Sequence, residues 1–231
     1  DILSGGVYMD PAALERLDMM GYGEYTGFKV REYREVDSIE KFTDHFLNKG
    51  LVNKMRDARQ GFLDSLVPAA LLEPQYDKAV PIASVVDYTP EDIHPCCMGI
   101  FENKLGGRIC VAGYYPWTRL HYEIKLQQLR AVVRWLSKDS LPAYIASNHR
   151  INLWVRDTGR GSIAIGLINS NFDDALDLTL KIRTEAEKIC VYDTSCRKTE
   201  IASSGSDGEY MEFVVPIIGQ WDMRMITADA F

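Results

Sequence analysis

The 231 residues suit one large domain or two ordinary ones, and 46% hydrophobic with 26% charged residues marks a globular chain with enough apolar material for more than one core. The net charge of -7 is shared by both halves: 17 Lys+Arg stand against 20 Asp+Glu in residues 1–142, and 9 against 13 in residues 143–231. There is no basic footprint for a nucleic-acid backbone and no apolar run near the ~18 residues of a membrane span, so neither nucleic acid nor membrane is expected as a partner.

The chain runs from Asp1 straight into an apolar stretch, Ile2–Met9, that reads as a short buried strand, and no signal peptide is visible. It has the look of an excised piece, with any export signal lost upstream. Asp10 is a good N-cap and Pro11 takes the first helical position. Leu14, Leu17 and Met20 follow at helical spacing until Gly21 and Gly23. This is one strand–turn–helix unit of an α/β sheet, which cannot bury its faces alone. Residues 37–66 are predicted helical, with Ile39, Phe42, Phe46, Leu47, Leu51, Met55, Phe62 and Leu66 as its buried positions. Pro68, Pro74 and Pro81 then mark an irregular connection.

Strand signals return at Pro81–Tyr88, and Cys97–Glu102 and Arg108–Tyr114 flank a hairpin turn at Asn103–Gly107. Residues Tyr122–Leu136 carry Ile124, Leu126, Leu129, Val132, Val133 and Leu136 on a helical stripe. Beyond Ile151 the texture changes to short alternating runs at 151–156, 162–169, 176–182, 187–193, 198–203, 210–215 and 221–227, separated by turn clusters. That spacing predicts an antiparallel β-sandwich. The expected organisation is an α/β domain over 1–145, incomplete at its start, and a C-terminal sandwich over 146–231.

Five cysteines at irregular spacing do not make a disulfide framework. Cys190 and Cys196 flank a predicted turn without an obvious pairing register. The set reads as reduced and mostly buried, which fits a cytoplasmic protein.

No self-contained active site is visible, and no residue is assigned a catalytic role. The G-x-S-x-G elbow is missing. Cys96-Cys97-Met98-Gly99 comes nearest to a nucleophile, with His94 or His121 as a base, but a buried structural pair explains it better. His94, Cys96 and Cys97 do not make a metal site, because adjacent strand residues point to opposite faces. Gly5-Gly6 and Gly106-Gly107 are turns, not phosphate loops. No cofactor is expected. Tyr114-Tyr115-Pro116-Trp117 is the most suggestive local feature: Tyr114, Tyr115 and Trp117 could stack on a sugar, anchor an interface, or simply pack in a core. Trp135, Trp154 and Trp221 read as structural.

Two blocks resemble a known family. Pro81–Tyr88, followed by Gly99-Ile100-Phe101-Glu102-Asn103-Lys104-Leu105-Gly106-Gly107-Arg108-Ile109-Cys110-Val111-Ala112-Gly113, resembles the closing strands of the glutamine-amidotransferase-like (trimerisation) domain of multidomain β-galactosidases. The opening Gly5–Asp10 strand and its helix fit the same flavodoxin-like α/β domain. Ile151–Thr227 is similar to the small sandwich that ends such proteins, with Ile165–Ser170 and Pro216…Trp221 as the matching strands. Residues 31–78 depart from the pattern, as an insertion would. The resemblance implies a non-catalytic C-terminal accessory region of a glycoside hydrolase whose barrel lies upstream. Its expected partners are that catalytic domain, further copies in a homo-oligomer, or a carbohydrate. Two rivals remain open: an independent carbohydrate-binding module, and a small Cys/His-dependent enzyme.

Overall fold

The computed structural model describes residues 2–34, 39–58, 60–62, 65–86, 95–114, 122–158 and 162–229. The chain divides into two compact units, Asp1–Ser140 and Leu141–Phe231. Among the described residues strand accounts for 49% and helix for 17%.

The first unit opens with a 3-10 turn and strand β1 (Gly6–Met9), then helix α1 (Pro11–Met19) and a single turn, α2 (Gly23–Thr26). The Asp10 carboxylate accepts from the Ala13 amide at 2.8 Å and Pro11 occupies the first helical position, which fixes where α1 starts. Next come β2 (Phe28–Arg34), β3 (Ile39–Phe42), β4 (Met55–Asp57), β5 (Gln60–Phe62), β6 (Ser65–Val67) and β7 (Ala69–Pro74). Strands β8 (Val80–Val86), β9 (Cys96–Glu102) and β10 (Arg108–Ala112) lead to the long helix α3 (Glu123–Leu136).

The helix expected over 37–66 is replaced by three-to-four-residue strands and a 3-10 turn at Phe46–Asn48. The apolar positions that mimic helical spacing belong to separate elements: Phe42, Leu47 and Leu51 are buried, while Phe46 and Met55 are exposed. Gly50 lies at φ 78°, where a side chain would be strained, and it turns the chain between β3 and β4. The connection expected to be irregular contains β7, which pairs with β2 from Phe28↔Pro74 to Arg34↔Ala69.

The main sheet runs β1-β10-β9-β8-β3-β4, and β7 joins β9 through Leu72↔Cys96, carrying β2 outward. The β1–β10 pair is parallel. The β10–β9, β9–β8, β8–β3, β3–β4, β7–β9 and β2–β7 pairs are antiparallel. Side chains alternate across the central strands. On one face Met98, Ile100, Cys110 and Ala112 meet Val132 and Leu136 of α3, and a register shift between β8 and β9 turns Cys97 to the same face. On the other, Cys96, Ile109 and Val111 meet Met9, Leu14 and Phe28. Gly99 is held as glycine by that second face: a Cβ there would collide with the Phe28 ring.

The second unit begins with β11 (Ala143–Ile145) and continues through β12 (Asn152–Asp157), β13 (Ser162–Ile168), β14 (Ala175–Arg183), β15 (Lys188–Tyr192), β16 (Lys198–Ala202), β17 (Gly205–Asp207), β18 (Tyr210–Ile218) and β19 (Met223–Asp229). They form two antiparallel sheets, β11-β14-β18-β17 and β12-β13-β19-β15-β16. One core joins them: Leu178, Leu180, Ile182, Phe213 and Val215 from the first sheet face Ile163, Ile165, Leu167, Val191 and Ile226 from the second. Each of the seven predicted runs overlaps one of these strands, because strict alternation is a direct mark of a half-buried strand.

Candidate functional site

The aromatic run singled out in the sequence does not present an exposed platform at Tyr114. That residue is 3% exposed and part of the core beside α3. Tyr115 and Trp117 lie outside the described residues, as do His94 and His121. Cys96, Cys97 and Cys110 are buried; Cys190 is half-buried and Cys196 exposed. Burial pushes the Cys96 thiol up to about 12 and the Cys97 thiol well above its usual value. Neither supplies the thiolate that a Cys/His enzyme requires. Among the described residues no set of His, Cys, Asp and Glu side chains is placed to hold a metal ion.

Tyr114 belongs instead to a polar cluster that the sequence did not announce. Glu40 of β3 is fully buried. Its Oε2 accepts from Arg56 Nε of β4 at 2.5 Å, and its Oε1 accepts from Lys125 Nζ of α3 at 2.8 Å and from the Tyr114 hydroxyl. The Lys125 ammonium also donates to the Tyr114 hydroxyl at 2.7 Å and to Gln128 Oε1 at 2.6 Å. Gln128 passes the network on to Asn48 Oδ1 at 2.9 Å, and Asn48 donates to the Ile82 carbonyl at 2.7 Å. Lys125 and Arg56 also lie over the Tyr114 ring, at 5.1 and 5.4 Å from its centroid.

Burial pushes the Glu40 carboxyl up. The Lys125 and Arg56 charges, with hydrogen bonds from Lys125 and Tyr114, outweigh it and hold the carboxyl below its ordinary value. Burial also raises the Tyr114 hydroxyl, here without being outweighed and with Glu40 adding to the push, so it stays a donor. Carboxylate, ammonium and phenol are an acid–base set. Here each is saturated by the others and sealed from solvent, so no substrate atom can reach them. The cluster is a brace tying β3, β4, the chain after β10 and α3 into one body.

One sign of the brace lies in the sequence of α3 itself. The buried face of α3 is Lys125, Gln128, Leu129, Val132 and Leu136, a helical stripe with two polar members. Of the predicted stripe, Leu129, Val132 and Leu136 are buried, Ile124 and Leu126 are half-buried and Val133 is exposed, because Lys125 and Gln128 take the remaining inward positions.

Two of the surface depressions of the first unit are the roomiest candidates for a ligand among the described residues. One, of about 620 Å³, is lined by Phe46, Lys49, Arg108, Gln127, Arg134 and Trp135. Its two arginines are engaged: Arg108 lies 5.3 Å over the Trp135 ring and donates to the Trp135 carbonyl at 2.7 Å, and Arg134 bonds Asp139 at 2.7 Å. The other, of about 440 Å³, is lined by Glu24, Tyr76, Phe101, Glu102 and Lys104, with Tyr76 stacked on Phe101 at 5.6 Å. Neither brings a nucleophile and a base together.

In the second unit the tryptophans read as structural are on the surface. Trp154 on β12 is 62% exposed and Trp221 is 64% exposed. Trp221 meets Phe172 edge-to-face at 5.6 Å.

No protein-family model and no curated protein sequence matches the chain. Among solved structures, α-L-fucosidase isoenzyme 2 from Paenibacillus thiaminolyticus shares the fold with a TM-score of 0.55 at 9% identity. The match covers 98% of this chain and 40% of the fucosidase, so the chain spans well under half of that enzyme's length. At this identity the likeness is one of fold alone.

Proposed function

We propose that the chain is a non-catalytic accessory region of a glycoside hydrolase, in which the first unit is the amidotransferase-like domain and the second the terminal sandwich. The observation that carries this reading is the fold match over nearly the whole chain to part of a fucosidase. The sealing of the acid–base set in the first unit agrees with a supporting role. The reading pairs the chain with an upstream catalytic domain in the cytoplasm. Its test is twofold. The isolated chain should hydrolyse no member of a nitrophenyl-glycoside panel above background, and the parent gene should encode a barrel in frame before Asp1. Turnover that survives purification, or a gene without a barrel, refutes it.

A second reading, carbohydrate binding, gains support from one residue. The Trp154 indole is exposed on the outer sheet face, flanked along β12 by Asn152 and Arg156 and paired across the ladder with Gly166. A flat aromatic beside a glycine leaves room for a sugar ring. Calorimetry with an oligosaccharide panel tests this: binding lost in Trp154→Ala supports it, and silence across the panel removes it.

A further inference from the structure

The edge strands of the sandwich are unequally defended. An edge offers a row of unpaired N–H and C=O groups, and proteins blunt it by shortness, charge, proline or a bulge. Strands β11 and β17 are three residues each, and β16 carries Lys198 and Glu200 among its five. Strand β12 is longer than any of these edges. Its six residues pair with β13 without a register shift, and it contains neither proline nor lysine. Among the described strands β13 is its one partner.

Two hydrogen bonds fix which way the β12 backbone points. The Thr158 amide donates to the Ser162 carbonyl at 3.1 Å. Hydrogen-bonded pairs recur at every second residue of an antiparallel ladder, so Asn152, Trp154 and Arg156 turn their backbone groups to β13. From the far side of β13, the Asn169 amide donates to the Asp222 carbonyl at 2.9 Å. That turns Ile163, Ile165 and Leu167 to β19, and Ala164, Gly166 and Ile168 to β12, in agreement with the first bond. The N–H and C=O groups of Leu153 and Val155 therefore lie on the open edge. Side-chain burial agrees. Ile163, Ile165 and Leu167 are 7%, 0% and 0% exposed, whereas Leu153 and Val155, packed against the same core, are half-buried.

We infer that the open edge of β12 pairs antiparallel with β12 of a second copy, about a two-fold axis at Trp154, joining two five-stranded sheets into one. Backbone chemistry sets the class of occupant, because alternating donors and acceptors along an edge are completed by another extended strand. The side chains single out the copy. From Asn152 to Arg156 the strand reads polar, apolar, aromatic, apolar, polar, a palindrome about Trp154. With Trp154 on the axis, Leu153 of each copy opposes Val155 of the other, Asn152 opposes Arg156, and Trp154 opposes itself. Leu153 and Val155 then exchange both hydrogen bonds, four in all between the copies, and the Trp154 pair takes the closer, non-hydrogen-bonded spacing. That covers an indole which is 62% exposed in the single chain. Neighbouring registers are worse. An axis at Leu153 sets Arg156 against Arg150, one at Arg156 sets it against itself, and one at Val155 sets Asp157 against Leu153. The inference stands apart from the accessory reading and competes with sugar for Trp154.

Sedimentation velocity on the whole chain, from about 1 µM to about 200 µM, should show a concentration-dependent dimer. Val155→Pro removes an N–H that faces the open edge, so the ladder with β13 survives in the monomer. By symmetry it deletes two of the hydrogen bonds between copies and should weaken the dimer at least about 30-fold. The matched control is Glu200→Pro on β16. The Asp193 amide donates to the Arg197 carbonyl at 3.2 Å, which leaves the Glu200 N–H on that strand's open edge, and the dimer should be unchanged. Circular dichroism reports the fold of each variant. Trp154→Arg leaves every backbone group in place and should also dissociate the dimer, by setting two arginines at the axis; it decides the matter if Val155→Pro does not fold. In a Cys196→Ser background, Trp154→Cys should cross-link two copies on oxidation, because such opposed residues have Cα atoms about 4.5 Å apart. Asn152→Cys, out of register with itself, should not. A monomer at every concentration overturns the inference, and with it an oligosaccharide that quenches tryptophan fluorescence would assign Trp154 to sugar. A dimer indifferent to either folded β12 variant, equally sensitive to Glu200→Pro, or cross-linked through Asn152→Cys instead also overturns it.

Discussion

Replacing Lys125 by Met tests whether the buried brace governs the stability of the first unit. Methionine matches the length of the lysine stem and keeps the packing against α3, so the loss falls mainly on the charge. The ammonium bonds Glu40 at 2.8 Å, Tyr114 at 2.7 Å and Gln128 at 2.6 Å. Its removal leaves the Glu40 carboxylate with Arg56 and Tyr114 only, and the Gln128 carbonyl oxygen without that donor. Breaking a buried pair from one side typically costs about 3–5 kcal/mol, because the remaining charge stays desolvated. Glu40→Gln alone should cost a similar amount, since it strands Arg56 and Lys125. The double variant should cost less than the two singles together by about 2 kcal/mol or more. Urea unfolding at pH 7, followed by circular dichroism and fluorescence, reads these values. The two units are expected to melt separately, with the second unit's transition unmoved. A cost below about 1 kcal/mol for Lys125→Met, or strict additivity in the double variant, would show that the cluster is solvated and the argument wrong.

Three further outcomes follow from the same geometry. Glu40 has a depressed pKa, so its contribution to stability is fully present above the ordinary carboxyl range near pH ~4.3 and is lost as pH falls through the folded value. The melting temperature of the first unit should therefore drop on acidification, and Glu40→Gln should flatten that limb in a scan from about pH 7 to about pH 3. Thiol labelling of the native protein should modify Cys196 fast and leave Cys96, Cys97 and Cys110 protected until unfolding; rapid labelling of any of the three would contradict their burial. Gly99→Ala pushes a methyl into the Phe28 ring and should destabilise the first unit by about 1–3 kcal/mol, measured by the same urea titration.

How legible the molecule was in its sequence depended on the range of the forces involved. The sandwich strands were readable because Ile163, Ile165 and Leu167 alternate with exposed or half-exposed neighbours, a pattern set residue by residue. The α1 start was readable because Asp10 and Pro11 act within one turn. The 37–66 segment was misread because short strands take their register from distant partners: Ile39 pairs with Val86 and with Asp57. Apolar spacing alone does not reveal such pairings. The brace was hidden for a related reason. Glu40, Arg56, Tyr114 and Lys125 lie 11 to 85 positions apart, so Glu40, Arg56 and Lys125 look like ordinary surface polar residues until the fold brings them together. Trp221 sits in a strand-like run that reads as core, whereas the turn at 219–222 carries it to the surface.

The parallel pairing of β1 with β10 has a consequence for synthesis. Gly6 must wait for Arg108 before its strand finds a partner. At roughly 5–20 residues per second, a ribosome needs on the order of 5–20 s to supply those intervening residues. During that interval Val7 and Met9 stand unpartnered on the nascent chain, a ready template for strand pairing with a neighbour. The β12–β13 hairpin closes across a handful of residues and meets no comparable delay. β1 is made well before its partner and is secured late, so chaperone dependence during expression should track that strand rather than the sandwich.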